Sequence, residues 1–218
     1  MTEFTITPSL LAYLFGDRLE DLFAGRSRLP INETLPCREV KVKSRDLPVA
    51  MVVTAFAYLA RRQLLGLSLE TKGRILKKRF VLATPTGGLG PDLPGLEGEI
   101  LASIHRDAKG NDVPTVVWRL WRSDVTDPFS DVIRRGREYL LQLGLYAEGE
   151  RRGIAKILGA KLVPECDKIL ALRSEAEHVR EMVADFRTAQ SELYVQLWKD
   201  VAKGIGSRQE SQDVDMDF

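Results

Sequence analysis

Two cysteines and two histidines are all that 218 residues supply of the softer metal ligands, and each stands alone in the chain. A structural zinc needs about four Cys, His or carboxylate ligands at short paired spacings, so no metal and no cofactor is expected. No serine falls in a G-x-S-x-G elbow, and His178 sits among charged residues in a helical stretch, so neither it nor His105 is placed for nucleophilic catalysis. Both histidines are expected to face solvent, no catalytic residue is assigned, and the chain is read as non-enzymatic with no small-molecule substrate. So few cysteines, Cys37 and Cys166, fit a soluble cytoplasmic protein in a reducing compartment. Excess charge is also lacking: 32 Lys+Arg against 31 Asp+Glu leave +1, too little for a whole-molecule field toward nucleic acid or lipid. Any such binding has to come from a local patch. The longest uncharged apolar stretch, Leu47 to Ala60, is 14 residues, short of the roughly 18 that cross a bilayer. The start, Met-Thr-Glu-Phe, has neither the basic residues nor the apolar run of a signal peptide.

What is present is a foldable chain. Hydrophobic residues make up 44%, enough for one medium domain or two small ones, which excludes disordered and fibrous classes. Thr7-Pro8 is a cap followed by proline at the first helical position, and the helix it opens runs inward through Leu10, Leu14, Leu19 and Leu22 to a stop at Gly25. Val40 to Lys43 alternates apolar and basic residues as a short half-buried strand does. Asp46-Leu47-Pro48 opens a second helix through Arg62, the best core helix in the chain. Leu67–Glu70 and Arg74–Leu82 then read as two strands turning at residues 71–73. Thr84 to Gly95 is a Gly/Pro cluster too dense for a regular element. Its TPTGGLG lacks the Gly-Lys-Ser/Thr and third glycine of phosphate loops, so it reads as a connector.

A similar order follows. Leu96 to Ile104 reads as a short helix in which Glu97 and Glu99 are solvated charges; residues 113–122 fit helix or strand; Asp127-Pro128 opens a helix that Gly144 stops. A second hairpin is expected from Ile154 to Val163, turning near Gly159. From Glu165 to about Val201 there is no proline or glycine, and Ile169, Leu172, Val179, Val183, Phe186, Leu193 and Leu197 recur at steps fitting a heptad seam, interrupted by Gln190 and Asp200. Gly204 and Gly206 are expected to end this long amphipathic helix, leaving residues 204–218 as a disordered acidic tail.

YLARRQLLGL and GRILKKRFVLATPTG followed by LEGEIL resemble the winged-helix superfamily. Over residues 46 to 105 the chain is also similar to the Golgi phosphoprotein family and its bacterial relatives, in the helix end, the basic hairpin and Pro85-Thr86-Gly87. That second resemblance implies a peripheral membrane adaptor for a phosphoinositide headgroup, and carries no lipid-binding residue onto this chain. The expected fold is α+β and mainly helical: a first winged-helix-like unit in 1–86, a connector in 87–95, a second unit in 96–164, the long helix in 165–203 and the tail.

Basic clusters are the one recurring local feature. Lys72, Arg74, Lys77, Lys78 and Arg79 on the first hairpin, with Arg61 and Arg62 at the preceding helix end, make a footprint for phosphates. Cations on a strand edge also serve simply to deter aggregation. The seam either packs back on the two units or pairs with another chain, with Tyr194 and Trp198 then acting as anchors. The chain is therefore expected to be a binding module or adaptor, engaging nucleic acid or protein through the hairpin and assembling as an oligomer through the C-terminal helix. The alternatives are a membrane-surface adaptor and a structural subunit of a larger complex.

Overall fold

Helix α2, Asp46–Arg61, carries apolar residues on every side, and only three of its sixteen residues escape burial. A helix apolar all round belongs at the centre of a core. The computed structural model describes residues 5–25, 31–73, 77–86, 93–106, 111–120, 127–149 and 161–215, with backbone alone at 161 and 208–215. In it α2 touches α1 (Pro8–Leu14), α3 (Gly95–Arg106), α5 (Pro128–Gln142), α7 (Arg173–Ala189) and α8 (Ser191–Asp215). Thr7 and Pro8 start α1 as expected. The helix then breaks at Phe15 (φ −128°), and the chain continues as a 3-10 helix, Gly16–Leu22, rather than as one helix to Gly25.

The fold is α+β and mostly helical, with three separate two-stranded antiparallel ribbons among the described residues. Strand β1 (Asn32–Thr34), for which the sequence showed no signal, pairs with β2 (Lys41–Lys43), where Val42 is buried between two outward lysines. Strands β3 (Leu65–Lys72) and β4 (Lys78–Pro85) form the first expected hairpin, with bounds corrected: Thr71 and Lys72 are strand rather than turn, and the second strand begins at Lys78 rather than Arg74 and runs on to Pro85, into the segment read as irregular. The second ribbon is corrected: β5 is Tyr146–Gly149 and pairs with β6, Lys161–Pro164, so the first strand follows α5 directly. The expected turn near Gly159 lies outside the described residues. Residues 113–119 are helix α4, because Asp112 caps it by accepting from the Thr115 amide at 3.1 Å, and Pro114 sits in the first turn. The cap outweighs the β preference of Val116-Val117-Trp118.

The single long helix expected from Glu165 is three helices. Helix α6 (Cys166–Ala171) bends at Leu172 into α7, and α7 ends at Gln190 (φ −140°), where the chain turns into α8. Gly204 and Gly206 do not stop α8, which continues to Asp215 in place of a tail beginning at 204. Gly204 faces α4: a Cβ there would lie 2.7 Å from the Val117 Cβ and 2.8 Å from the Pro114 carbonyl oxygen. Gly204→Val is therefore expected to cost about 2–3 kcal/mol in urea unfolding, because backbone blocks the new side chain; a change below about 0.5 kcal/mol would show that α8 does not meet α4 this closely.

The C-terminal seam is occupied within the chain. Ile169, Leu172, Val179, Val183, Leu193 and Leu197 are buried in one hydrophobic cluster that runs from Ile6 to Ile205, and Phe186 is half-buried against it. Tyr194 donates to the Leu22 carbonyl at 2.8 Å, and Trp198 stacks on Phe23 at 5.0 Å, so these aromatics are core, not anchors for another chain. Asp200, read from sequence as a break in the seam, accepts from the Val81 amide at 2.7 Å and from Gln196 at 2.9 Å, fastening β4 to α8. Glu97, expected in solvent, is also buried; it accepts from the Ser9 amide at 2.8 Å and the Ser9 hydroxyl at 2.7 Å, and so caps α1 from α3. No helix among the described residues is long and apolar enough to cross a membrane.

Candidate functional site

Two surfaces bring charge together. The first is the hairpin that the sequence singled out. Lys72 stands directly opposite Lys78 at the free end of the ribbon, an arrangement of like charges that costs stability unless something anionic joins it. The like charge of Lys78 pulls the Lys203 ammonium on α8 below the usual lysine value, with desolvation adding to the effect and the Asp200 and Asp112 carboxylates opposing it. Lys77 is exposed beside them, and none of Lys72, Lys77 and Lys78 forms an ion pair among the described residues. Arg79 is exposed too, but is engaged with Glu192 at 3.2 Å. Arg74 lies outside the described residues.

Arg61 and Arg62 do not join this group. The ribbon leaves α2 at Leu65, where it pairs with Pro85, and its lysine end is seven residues on, about 23 Å away at 3.3 Å per residue. Arg61 pairs with Asp185 on α7 at 3.4 Å, and the Arg62 guanidinium lies over the Tyr58 ring at 5.9 Å. The expected seven-residue footprint is therefore two patches. Lys203, absent from that expectation, belongs to the hairpin end because the Asp200 anchor brings α8 alongside β4; nothing in local sequence signals it.

The second surface is a cleft of about 1530 Å³ between α5, the β1–β2 ribbon and the β5–β6 ribbon. Sequence reasoning missed it. On α5, Asp131, Arg134, Arg135, Glu138 and Tyr139 recur at steps of three and four, so one polar stripe faces the cleft while Val132 and Leu140 face the core. Buried Asp131 accepts from Arg135 Nε at 2.8 Å and from Arg134 Nε at 3.0 Å. Arg135 also reaches Glu99 at 3.0 Å, and Tyr139 donates to the same carboxylate at 3.1 Å. At the floor, Arg137 donates to the Tyr13 hydroxyl at 2.8 Å and pairs with Glu33, and the Tyr13 and Tyr146 hydroxyls stand 3.3 Å apart. Burial pushes the Tyr146 phenol far above the usual tyrosine value, and Tyr139 is raised by burial and by Glu99.

These phenols stay protonated at neutral pH, and the carboxylates are held by guanidinium groups. The cleft can therefore offer hydrogen bonds of both senses. Across its rim Cys37, between β1 and β2, is joined to Cys166 at the start of α6, with Cα atoms 5.3 Å apart. The two cysteines that stand alone in sequence are therefore partners in the fold. His178 is exposed and His105 half-buried, and neither lines the cleft. No cluster of three or more His, Cys, Asp or Glu fit to hold a metal occurs among the described residues. No protein-family model, curated protein or solved structure matches the chain.

Proposed function

We propose that the chain is a non-enzymatic binding module of winged-helix type that docks on the phosphate backbone of a nucleic acid through the free end of the β3–β4 ribbon. The observation that carries this reading is the juxtaposition of Lys72, Lys78 and Lys203, two like-charged pairs with exposed Lys77 beside them. Phosphates relieve that repulsion and release counterions as they bind. Helix α2, which precedes the ribbon, is buried and offers no face to a groove, so binding is independent of base sequence. The cytoplasm is the compartment proposed for it. There a disulfide such as Cys37–Cys166 is transient rather than permanent.

Duplex DNA titrated by fluorescence anisotropy between about 50 and 200 mM salt tests the reading. Replacing Lys72, Lys77 and Lys78 with Ala is expected to flatten the slope of log K against log salt by about 2–3, since each phosphate contact contributes about 0.9. An unchanged slope overturns the assignment. A second reading, a peripheral membrane adaptor of Golgi-phosphoprotein type, follows from the resemblance over residues 46 to 105. Vesicles containing a phosphoinositide, used in the same salt series, decide between the two. Binding to the vesicles but not to DNA selects the adaptor, and binding to neither turns the search to a protein partner and a structural role in a complex.

A further inference from the structure

The cleft is bounded by two walls that are built separately. On one side the β1–β2 ribbon packs on α2 and the 3-10 helix, and Arg38, next to Cys37, ties the loop to α1 through the Leu14 carbonyl and to the 3-10 helix through Asp17, each at 2.9 Å. On the other side the β5–β6 ribbon packs on α5, and the Glu165 amide, next to Cys166, donates to the Leu145 carbonyl at 2.9 Å. Each wall thus has its own anchor to the core, and the Cys37–Cys166 bond spans the gap between them. Cys166 is exposed, so a thiol in solution can reach its sulfur. Cys37 is held at φ +61°, a left-handed conformation that a residue with a Cβ adopts at some cost and leaves when released. A bond exposed at Cys166 and half-buried at Cys37, between separately anchored walls and with a left-handed backbone at Cys37, is the construction of a releasable fastening rather than of a permanent staple.

We propose that Cys37–Cys166 is a redox-controlled clasp, reduced by a dithiol, that sets access to the Tyr13–Tyr146–Arg137 floor of the cleft. One thiolate of the dithiol attacks the Cys166 sulfur, the Cys37 sulfur leaves as a thiolate and takes up a proton, and the second thiol then displaces Cys166. The dithiol ends as a cyclic disulfide, and the protein gains two electrons and two protons. With the bond gone, Cys37 relaxes out of its left-handed conformation and the two walls part, while Arg38 and Glu165 keep each wall on the core.

The experiment uses the full chain, oxidised or treated with dithiothreitol, in hydrogen exchange read by mass spectrometry. Reduction is expected to speed exchange at residues 35–39 and 163–166 by at least about tenfold and to leave α2 and α8 amides unchanged. Tyr146 acetylation by N-acetylimidazole is expected to rise together with it. Cys37→Ser should show the fast pattern under both conditions, and since reduction of the wild-type chain carries the test by itself, the conclusion does not depend on that variant folding. Unchanged exchange at the two walls overturns the clasp, as does acceleration spread equally through α2 and α8, which would make the bond a global staple. Alkylation of both cysteines in the oxidised chain overturns it as well, since the bond would then not form.

Discussion

Val183→Asp is expected to unfold the chain rather than divide an assembly. Val183 is 2% exposed on α7, which packs on α1, α2 and the 3-10 helix. The cations nearest along α7, Arg180 and Arg187, are already bonded to Asp21, and a buried charge left without a partner costs more than about 4 kcal/mol, a large part of the 5–15 kcal/mol that holds a domain together. The expected result is loss of the helical circular-dichroism signal with an expanded species in size-exclusion light scattering. Phe186→Asp, at a half-buried position, should be milder and leave a folded chain with a lower urea midpoint. Had the seam joined two chains, Val183→Asp would instead yield a folded species of half the mass, and that outcome would refute the packing described above.

The second large effect concerns Glu97. Burial raises its carboxyl above the ordinary glutamate value, and the Ser9 amide and hydroxyl pull in the opposite direction without cancelling the rise. With the folded value above the unfolded one, the folded chain binds more protons between the two. Stability is therefore highest below the ordinary glutamate pKa and falls as pH rises toward the folded value, beyond which it levels off. Glu97→Gln keeps an acceptor for the Ser9 amide and removes the titration, so its stability should not carry this loss. Asp200 is raised by burial too, so a shallower decline of the same sign remains in the variant. Glu97→Ala removes the cap and opens a cavity, for an expected loss of about 2–4 kcal/mol at all pH values. Urea unfolding from pH 4 to 8 checks both. Parallel pH profiles for the wild type and Glu97→Gln would mean that Glu97 titrates alike in the folded and unfolded chain.

Local signals carried much of the fold. Pro8, Asp46 and Asp127-Pro128 mark helix starts because first-turn prolines and acidic residues, and the Asp127 side-chain cap, act within three or four residues, and the α2 and β3–β4 segments are close to where periodicity puts them. What sequence could not show depends on partners far along the chain. Glu97 looks like any surface glutamate until Ser9 comes to it, and Asp200 looks like a fault in a heptad until the Val81 amide occupies it. The glycines at 204 and 206 resemble a helix stop, yet Gly204 is where α8 needs no side chain to lie against α4. Of the site, the lysines of the hairpin were legible as a charge cluster, whereas Lys203 and the cleft were not. Their residues come from elements with no common sequence signature, and two solitary cysteines give no sign of each other.

The placement of α8 has a consequence for how the protein is made. Helix α2 packs against α8, and Leu22 and Val81 have hydrogen-bond partners in Tyr194 and Asp200, so the earliest segments are completed by nearly the last. On a ribosome adding about 5–20 residues per second, α2 emerges with its apolar surface roughly 7–30 seconds before Ile205 is polymerised. For that interval the faces of α2 that α7 and α8 close have nothing of the chain's own to cover them. The nascent chain is then a client for a holding chaperone, and a message truncated before codon 200 yields an aggregating product rather than a smaller working one.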